Sequence, residues 1–165
     1  MTHPLILTAR ISDGDLEPFD RLRRQHFPAE RNFLRAHLTL FHHLPADEFD
    51  RIVELAQQGL SRVDLPMPVE VTGVRHMGAG VAYTLESPAL QAVRAHLVAG
   101  VRAWLKPQDL QGWRPHITVQ NKVSKAKADT LFQDLRTSFR PQTIASTGLD
   151  IWSYLGGPWR LETSL

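Results

Sequence analysis

A repeat inside the chain limits its fold more than any other feature. Phe49, Ile52, Val53, Ala56 and Leu60 form one apolar helical stripe, and Ala128, Leu131, Phe132, Leu135 and Phe139 form another, each position 79 residues further on. The same shift carries His37-Leu38-Thr39-Leu40 onto His116-Ile117-Thr118-Val119, and Phe19, Leu22 and Pro28 onto Val98, Val101 and Pro107. Beyond the helices the shift falls to 75, where Gly73-Val74 meets Gly148-Leu149, and it is 78 where Gly78 meets Gly156. Helical stripes alone recur by chance. A register shared by two tetrapeptides and several elements points to two similar lobes, each an antiparallel sheet with helices on its outer face.

The rest of the chain fits that α+β plan. Leu16, Phe19 and Leu22 share a face of a helix over about Gly14–Gln25. Pro45 and Asp47 predict a break and then an N-cap before the Phe49 stripe. Ser87-Pro88 predicts the cap and first turn of a helix carrying Leu90, Val93, Leu97, Val101 and Leu105. Strands are expected at Leu5–Ile11, His37–His42, Val69–Met77, Val81–Glu86, His116–Val123, Thr143–Tyr154 and Trp159–Thr163, with hairpin turns at Gly78-Ala79-Gly80 and Gly156-Gly157-Pro158. No low-complexity linker divides the halves, so residues 1–165 read as one bilobal domain, a pseudo-two-fold duplication with a central cleft.

Composition removes several function classes. With no cysteine there is no disulfide framework, thiol nucleophile or thiolate metal site. No apolar run approaches the ~20 residues of a membrane span. The stretch from Met1 reads as a first strand rather than a signal peptide, and a cytoplasmic location is expected. A net charge of +2 makes no whole-molecule case for nucleic acid. Of 19 basic residues 15 are arginine, whose planar fork suits phosphate, although genomic composition produces the same skew.

The two tetrapeptides carry the chemistry. Strand alternation puts His37 and Thr39 on one face and Leu38 and Leu40 on the other; His116 and Thr118 divide from Ile117 and Val119 in the same way. The apolar partners belong under the helices, so the polar pairs face the space between the lobes. In-line displacement at phosphorus needs a base on the attacking oxygen and an acid on the leaving oxygen. One neutral and one protonated imidazole supply both, and two threonine hydroxyls can donate to the non-bridging oxygens. Neither a metal nor a cofactor is needed.

These residues resemble the two-histidine phosphoesterase superfamily, which includes 2′-5′ RNA ligase-like proteins and cyclic phosphodiesterases. The resemblance rests on the paired His-x-Thr-x motifs, with Pro115 before the second and Phe41 after the first, and extends over nearly the whole chain. It implies a bilobal α+β sandwich that opens 2′,3′-cyclic phosphates or makes or breaks 2′-5′ linkages in RNA. It makes His37 and His116 the acid and base, and Thr39 and Thr118 the phosphate contacts. Expected partners are RNA ends or cyclic nucleotides, with no membrane, and the chain is taken as a monomer. A catalytically idle RNA- or nucleotide-binding module on the same fold is the alternative.

Other residues have weaker claims. Arg10, near the end of the first strand, is a candidate phosphate contact, set against a plain solvated strand end. Trp152, opposite Met77 in the repeat, is a candidate for base stacking, set against hairpin packing. Strict alternation puts His43 on the face of His37, about 20 Å along the strand at ~3.3 Å per residue, too far to share a metal. Lys122 follows His116, Thr118 and Gln120 on one face and marks the rim.

Overall fold

The computed structural model describes residues 3–165. Met1 and Thr2, which open the stretch expected not to be a signal peptide, lie outside the described residues. The elements are β1 (Leu5–Ile11), α1 (Asp13–His26), β2 (Leu38–Leu44), α2 (Phe49–Leu60), β3 (Met67–His76), β4 (Val81–Glu86), α3 (Pro88–Val101), α4 (Pro107–Leu110), β5 (His116–Gln120), α5 (Lys125–Ser138), β6 (Gln142–Tyr154) and β7 (Trp159–Ser164). The fold is α+β, as the alternation predicts. Among the described residues no helix is long and apolar enough to cross a membrane.

All seven strands join one antiparallel, strongly curled sheet in the order β2-β1-β6-β3-β4-β5, with β7 also on β6. The long strand β6 makes this possible. Its first part pairs with β3 from Gln142 to Ser146, and its remainder pairs with β1 from Ser146 to Ser153. The two motif strands, β2 and β5, end up at the two edges of the sheet.

The halves of the sequence are interleaved. Helix α1 packs on β5, and α3 packs beside α2. Arg23 of α1 donates from Nη1 to the Thr118 carbonyl at 3.1 Å, and Arg94 of α3 donates from Nε to the Leu40 carbonyl at 3.0 Å. Each half therefore sends its first helix to grip the other half's motif strand. Phe19 of α1 meets Tyr83 of β4 edge-on, ring centroids 5.1 Å apart. The apolar faces of both motif strands, with Leu38, Leu40, Ile117 and Val119 all fully buried, belong to one continuous core.

Three expectations need correction. Asp47 does not cap α2; it lies within a 3₁₀ turn, Ala46–Glu48, and the N-cap position is held by Glu48 without a side-chain bond. The turn itself satisfies the backbone there, Glu48 N–H donating to the Pro45 carbonyl at 3.2 Å. The stripe expected to run to Leu105 stays helical only to Val101, then tightens into a 3₁₀ turn, Arg102–Trp104. Helices α1 and α3 also begin 75 residues apart, at Asp13 and Pro88, rather than 79. The missing four lie in the next connection: residues 27–36 lead into the first motif, but 102–115 lead into the second and add α4. Ser87 does cap α3, its hydroxyl accepting from Leu90 N–H.

Gly80 fits the β3–β4 hairpin against the end of β5. A Cβ there would stand 1.9 Å from the Gln120 carbonyl oxygen, a backbone atom that cannot step aside. Gly80→Ala is expected to destabilise the protein by at least about 1–3 kcal/mol, the usual cost of overpacking, read as a lower urea midpoint. An unchanged midpoint would show that the hairpin does not seat β5.

Candidate active site

Each motif strand follows the alternation and then breaks it at the same place. His37 and Thr39 are half-buried and Leu38 and Leu40 buried, but Phe41 is buried too; along β5 the pattern is repeated by His116 to Gln120. The registers show why. Leu7 and Thr8 pair with Phe41 and Thr39, and Val81 and Ala82 pair with Gln120 and Thr118. One residue too many, Leu40 or Val119, sits in each motif strand as a β-bulge, which turns the side chains that follow it to the other face, until in β2 a second irregularity between Phe41 and Leu44 returns Leu44 to the core. Gln120 therefore points inward, not along the face of Thr118. His42, rather than His43, follows His37 and Thr39.

Directly paired residues share a face of a sheet. Thr39, Thr8 and Asp150 thus stand in a row across β2, β1 and β6. Thr118, Ala82 and Arg75 stand in the matching row across β5, β4 and β3. These rows line the concave side, opposite the core.

The two histidines are held identically. His37 Nδ1 lies 2.8 Å from the Arg35 carbonyl oxygen, and His116 Nδ1 lies 2.9 Å from that of Arg114. A carbonyl only accepts, so in each ring Nδ1 carries the proton and Nε2 of the neutral ring is left as the basic nitrogen. Burial pushes the His37 pKa down to about 4, against its carbonyl bond, and the charges of Arg23, His42 and His116 push the same way. His116 is also lowered, first by burial, then by Arg75 and His42, with its own carbonyl bond opposing. The charge of His116 is thus felt at His37, and that of His42 at both rings.

His42 was not among the sequence candidates. Its Nδ1 lies 3.2 Å from the buried carboxylate of Asp109 in α4, which also accepts from the backbone N–H groups of His42 and His43. The only sequence signal for it is Leu40-Phe41, two adjacent apolar residues where alternation calls for one.

A cavity of ≈ 490 Å³ opens beside His37, walled by Thr8, Phe33, Trp152, Trp159 and Leu161. The Trp159 ring lies 4.7 Å from that of His37 and 6.1 Å from that of Trp152. Trp152 is fixed by its indole N–H, which donates to Thr8 Oγ1 at 2.9 Å. Phe33 is 60% exposed and Leu161 48%, an aromatic and apolar mouth open to solvent. Arg10 also lines this cavity, but its donors are taken. Nε bonds Thr147 Oγ1, Nη1 bonds the Leu149 carbonyl and Asp150, and Nη2 bonds the Thr147 and Leu165 carbonyls. It ties the last strand to the sheet and has no N–H left for a phosphate. Lys122 lies beyond the end of β5.

The strongly curled antiparallel sheet is that of the LigT-like, two-histidine phosphoesterase fold. The chain belongs to the 2′-5′ RNA ligase superfamily, whose family model matches residues 12–158. Similar solved structures include a Thermus thermophilus protein, with TM-score 0.68 and 17% identity over 98% of this chain and 96% of that one. A phosphoesterase aligns with TM-score 0.62 and 18% identity over 100% and 96% of the two chains. Escherichia coli LigT complexed with 3′-AMP aligns with TM-score 0.56 and 19% identity over 99% and 95%. At such identities the likeness is one of fold. No curated protein matches the chain.

The lowered pKa of His37 has a consequence for stability. The unfolded chain binds a proton near pH 6.5, the folded one only near pH 4, so the unfolded state takes up more protons between these values. Stability is expected to fall as the pH drops from about 6.5 towards 4. In His37→Gln the urea midpoint should fall less over that range. Equal slopes in the two proteins would mean that His37 titrates alike folded and unfolded.

Proposed function

We propose that this protein is a metal-independent phosphoesterase that opens 2′,3′-cyclic phosphates on RNA ends or nucleotides, or makes or breaks 2′-5′ phosphodiester linkages. One observation carries the reading: the two motif imidazoles have matched tautomers, each with Nδ1 spent on the carbonyl two residues back. Escherichia coli LigT, of like fold, binds 3′-AMP and phosphate in its structures, ligands of the class this reading requires.

In hydrolysis, a water attacks the phosphorus of the cyclic ester and loses its proton to His37 Nε2. The bond from phosphorus to one ribose oxygen breaks, and His116 Nε2 gives that oxygen a proton. The stronger depression of His37 keeps it neutral at physiological pH, as a base must be. His116 is also lowered in the empty cleft, and a bound phosphate anion raises it again by favouring the charged form. Thr39 and Thr118 donate to the non-bridging oxygens. With a 5′-hydroxyl in place of water the same steps join it to the cyclic phosphate, and the reverse of that reaction cleaves a 2′-5′ linkage back to the cyclic ester. The cavity beside His37 takes a nucleobase, stacked on Trp152 or Trp159 in a monomeric enzyme.

The test is a screen of 2′,3′-cyclic nucleotides beside 2′-5′-linked oligonucleotides. On the substrate it finds, His37→Ala and His116→Ala should each lose about 10²–10⁴-fold in turnover. The double mutant should lose less than the product, because the two groups act as a unit. Thr39→Val and Thr118→Val should cost about 2–4 kcal/mol each. Trp152→Ala should weaken nucleotide binding by about 1–3 kcal/mol. Turnover should survive exhaustive chelation. Near-full activity in either histidine mutant would refute the mechanism, and binding without turnover in the parent would make the protein a binding module.

A further inference from the structure

The described arginines nearest the motif strands are mostly committed. Arg10 spends its fork on the last strand, Arg94 bonds the Leu40 and Asp109 carbonyls, and Arg23 bonds Asn32 and the Thr118 carbonyl. Arg75 differs. Among the described residues its guanidinium has neither a hydrogen bond nor an ion pair, yet the residue is half-buried. It stands on the concave face, in register with Ala82, which is in register with Thr118. Ala82 between them carries only a methyl group, so a long side chain from β3 can lie across it towards β5.

What lies at the far side of Ala82 is also uncommitted. The Thr118 hydroxyl donates only to the Met77 thioether, at 3.9 Å, a weak acceptor that a phosphate oxygen readily replaces. The repeat adds a contrast. The 75-residue shift that takes Gly73-Val74 onto Gly148-Leu149 takes Arg75 onto Asp150, and Asp150 is neutralised by Arg10 at 3.0 Å. One lobe thus brings a cancelled charge to the cleft and the other an open one.

We propose that Arg75 is a substrate-binding residue, its guanidinium and the Thr118 hydroxyl together holding the non-bridging oxygens of the phosphate that the two histidines act upon. This assignment rests on the phosphoesterase reading of the cleft. It gives Arg75 a second effect. His116 is faced by Arg75 from β3 and by His42 from β2, the latter tethered to Asp109, and both oppose its protonation. An anion bound to Arg75 cancels part of that opposition, so substrate itself readies the acid.

The experiment uses the full chain with inorganic phosphate as probe, followed by calorimetry and by NMR titration of the His116 ring. Arg75→Gln should weaken phosphate binding about ten- to hundredfold, the loss of a charged hydrogen bond of ~1.5–3 kcal/mol. It should also raise the His116 pKa in the free protein, since a neighbouring cation has gone. Arg75→Lys should keep the pKa near the parental value while recovering only part of the binding, because it keeps the charge but not the fork. If Arg75→Gln binds phosphate like the parent and leaves His116 unmoved, Arg75 is a rim residue and the proposal fails; a parent that binds no phosphate refutes it equally. A parent that binds phosphate through Arg75 but turns over no phosphodiester sinks the catalytic reading alone.

Discussion

The two strands that carry the histidines are edge strands, and an edge strand has backbone groups without a ladder partner. Buried beneath helices, those groups must find other partners or cost about 1–3 kcal/mol each. Side chains from elsewhere meet that need. On β2, Arg94 reaches the Leu40 carbonyl, the Trp113 indole the Thr39 carbonyl, and Asp109 the N–H groups of His42 and His43. On β5, Arg23 reaches the Thr118 carbonyl. The interleaved helices follow from this requirement, because the arginine that seals each edge comes from the other half of the chain. Burial draws the Arg23 pKa down to about 10, so it stays charged at neutral pH and keeps its donors.

The same clamps fix where the motif side chains stand. A motif strand held along its outer edge cannot slide, and sliding by one residue would turn His37 and Thr39 into the core and Leu38 and Leu40 into the cleft. The carbonyls of Arg35 and Arg114 then set the two rings in one tautomer each. Packing, backbone pairing and proton placement are thus consecutive uses of a single constraint.

Much of this could be read from the residues, and the part that could not has a physical reason. Alternation of apolar and polar residues marks β1 and β4 to the residue, because neither strand has a bulge within its own run of side chains that changes its ends. The repeat pairs the motifs because both must present the same side chains to one cleft. The bulges at Leu40 and Val119 escape such reading, since a bulge is decided by pairing with a neighbour strand. Strict alternation for that reason places His43 on the face of His37, where the structure places His42. The exchange of helices is equally silent, as an apolar stripe does not say which sheet it covers. Arg10 looked available because its five donors find partners more than a hundred residues away. Nothing in the sequence singles out Arg75, because the openness of a guanidinium shows only in space.

The α4 connection is longer than its counterpart by four residues and supplies Asp109, so among the described residues only one lobe tethers an imidazole with a buried carboxylate. Its counterpart across the pseudo-two-fold, by the 79-residue shift, is Asn121, whose side chain turns back to the Lys122 N–H. The tryptophan-walled cavity, likewise, adjoins His37 and not His116. A groove of true two-fold symmetry would receive a linear polymer in either sense. Here the two approaches differ in shape, charge and aromatic surface, so any elongated ligand with two unlike ends meets a groove that distinguishes them.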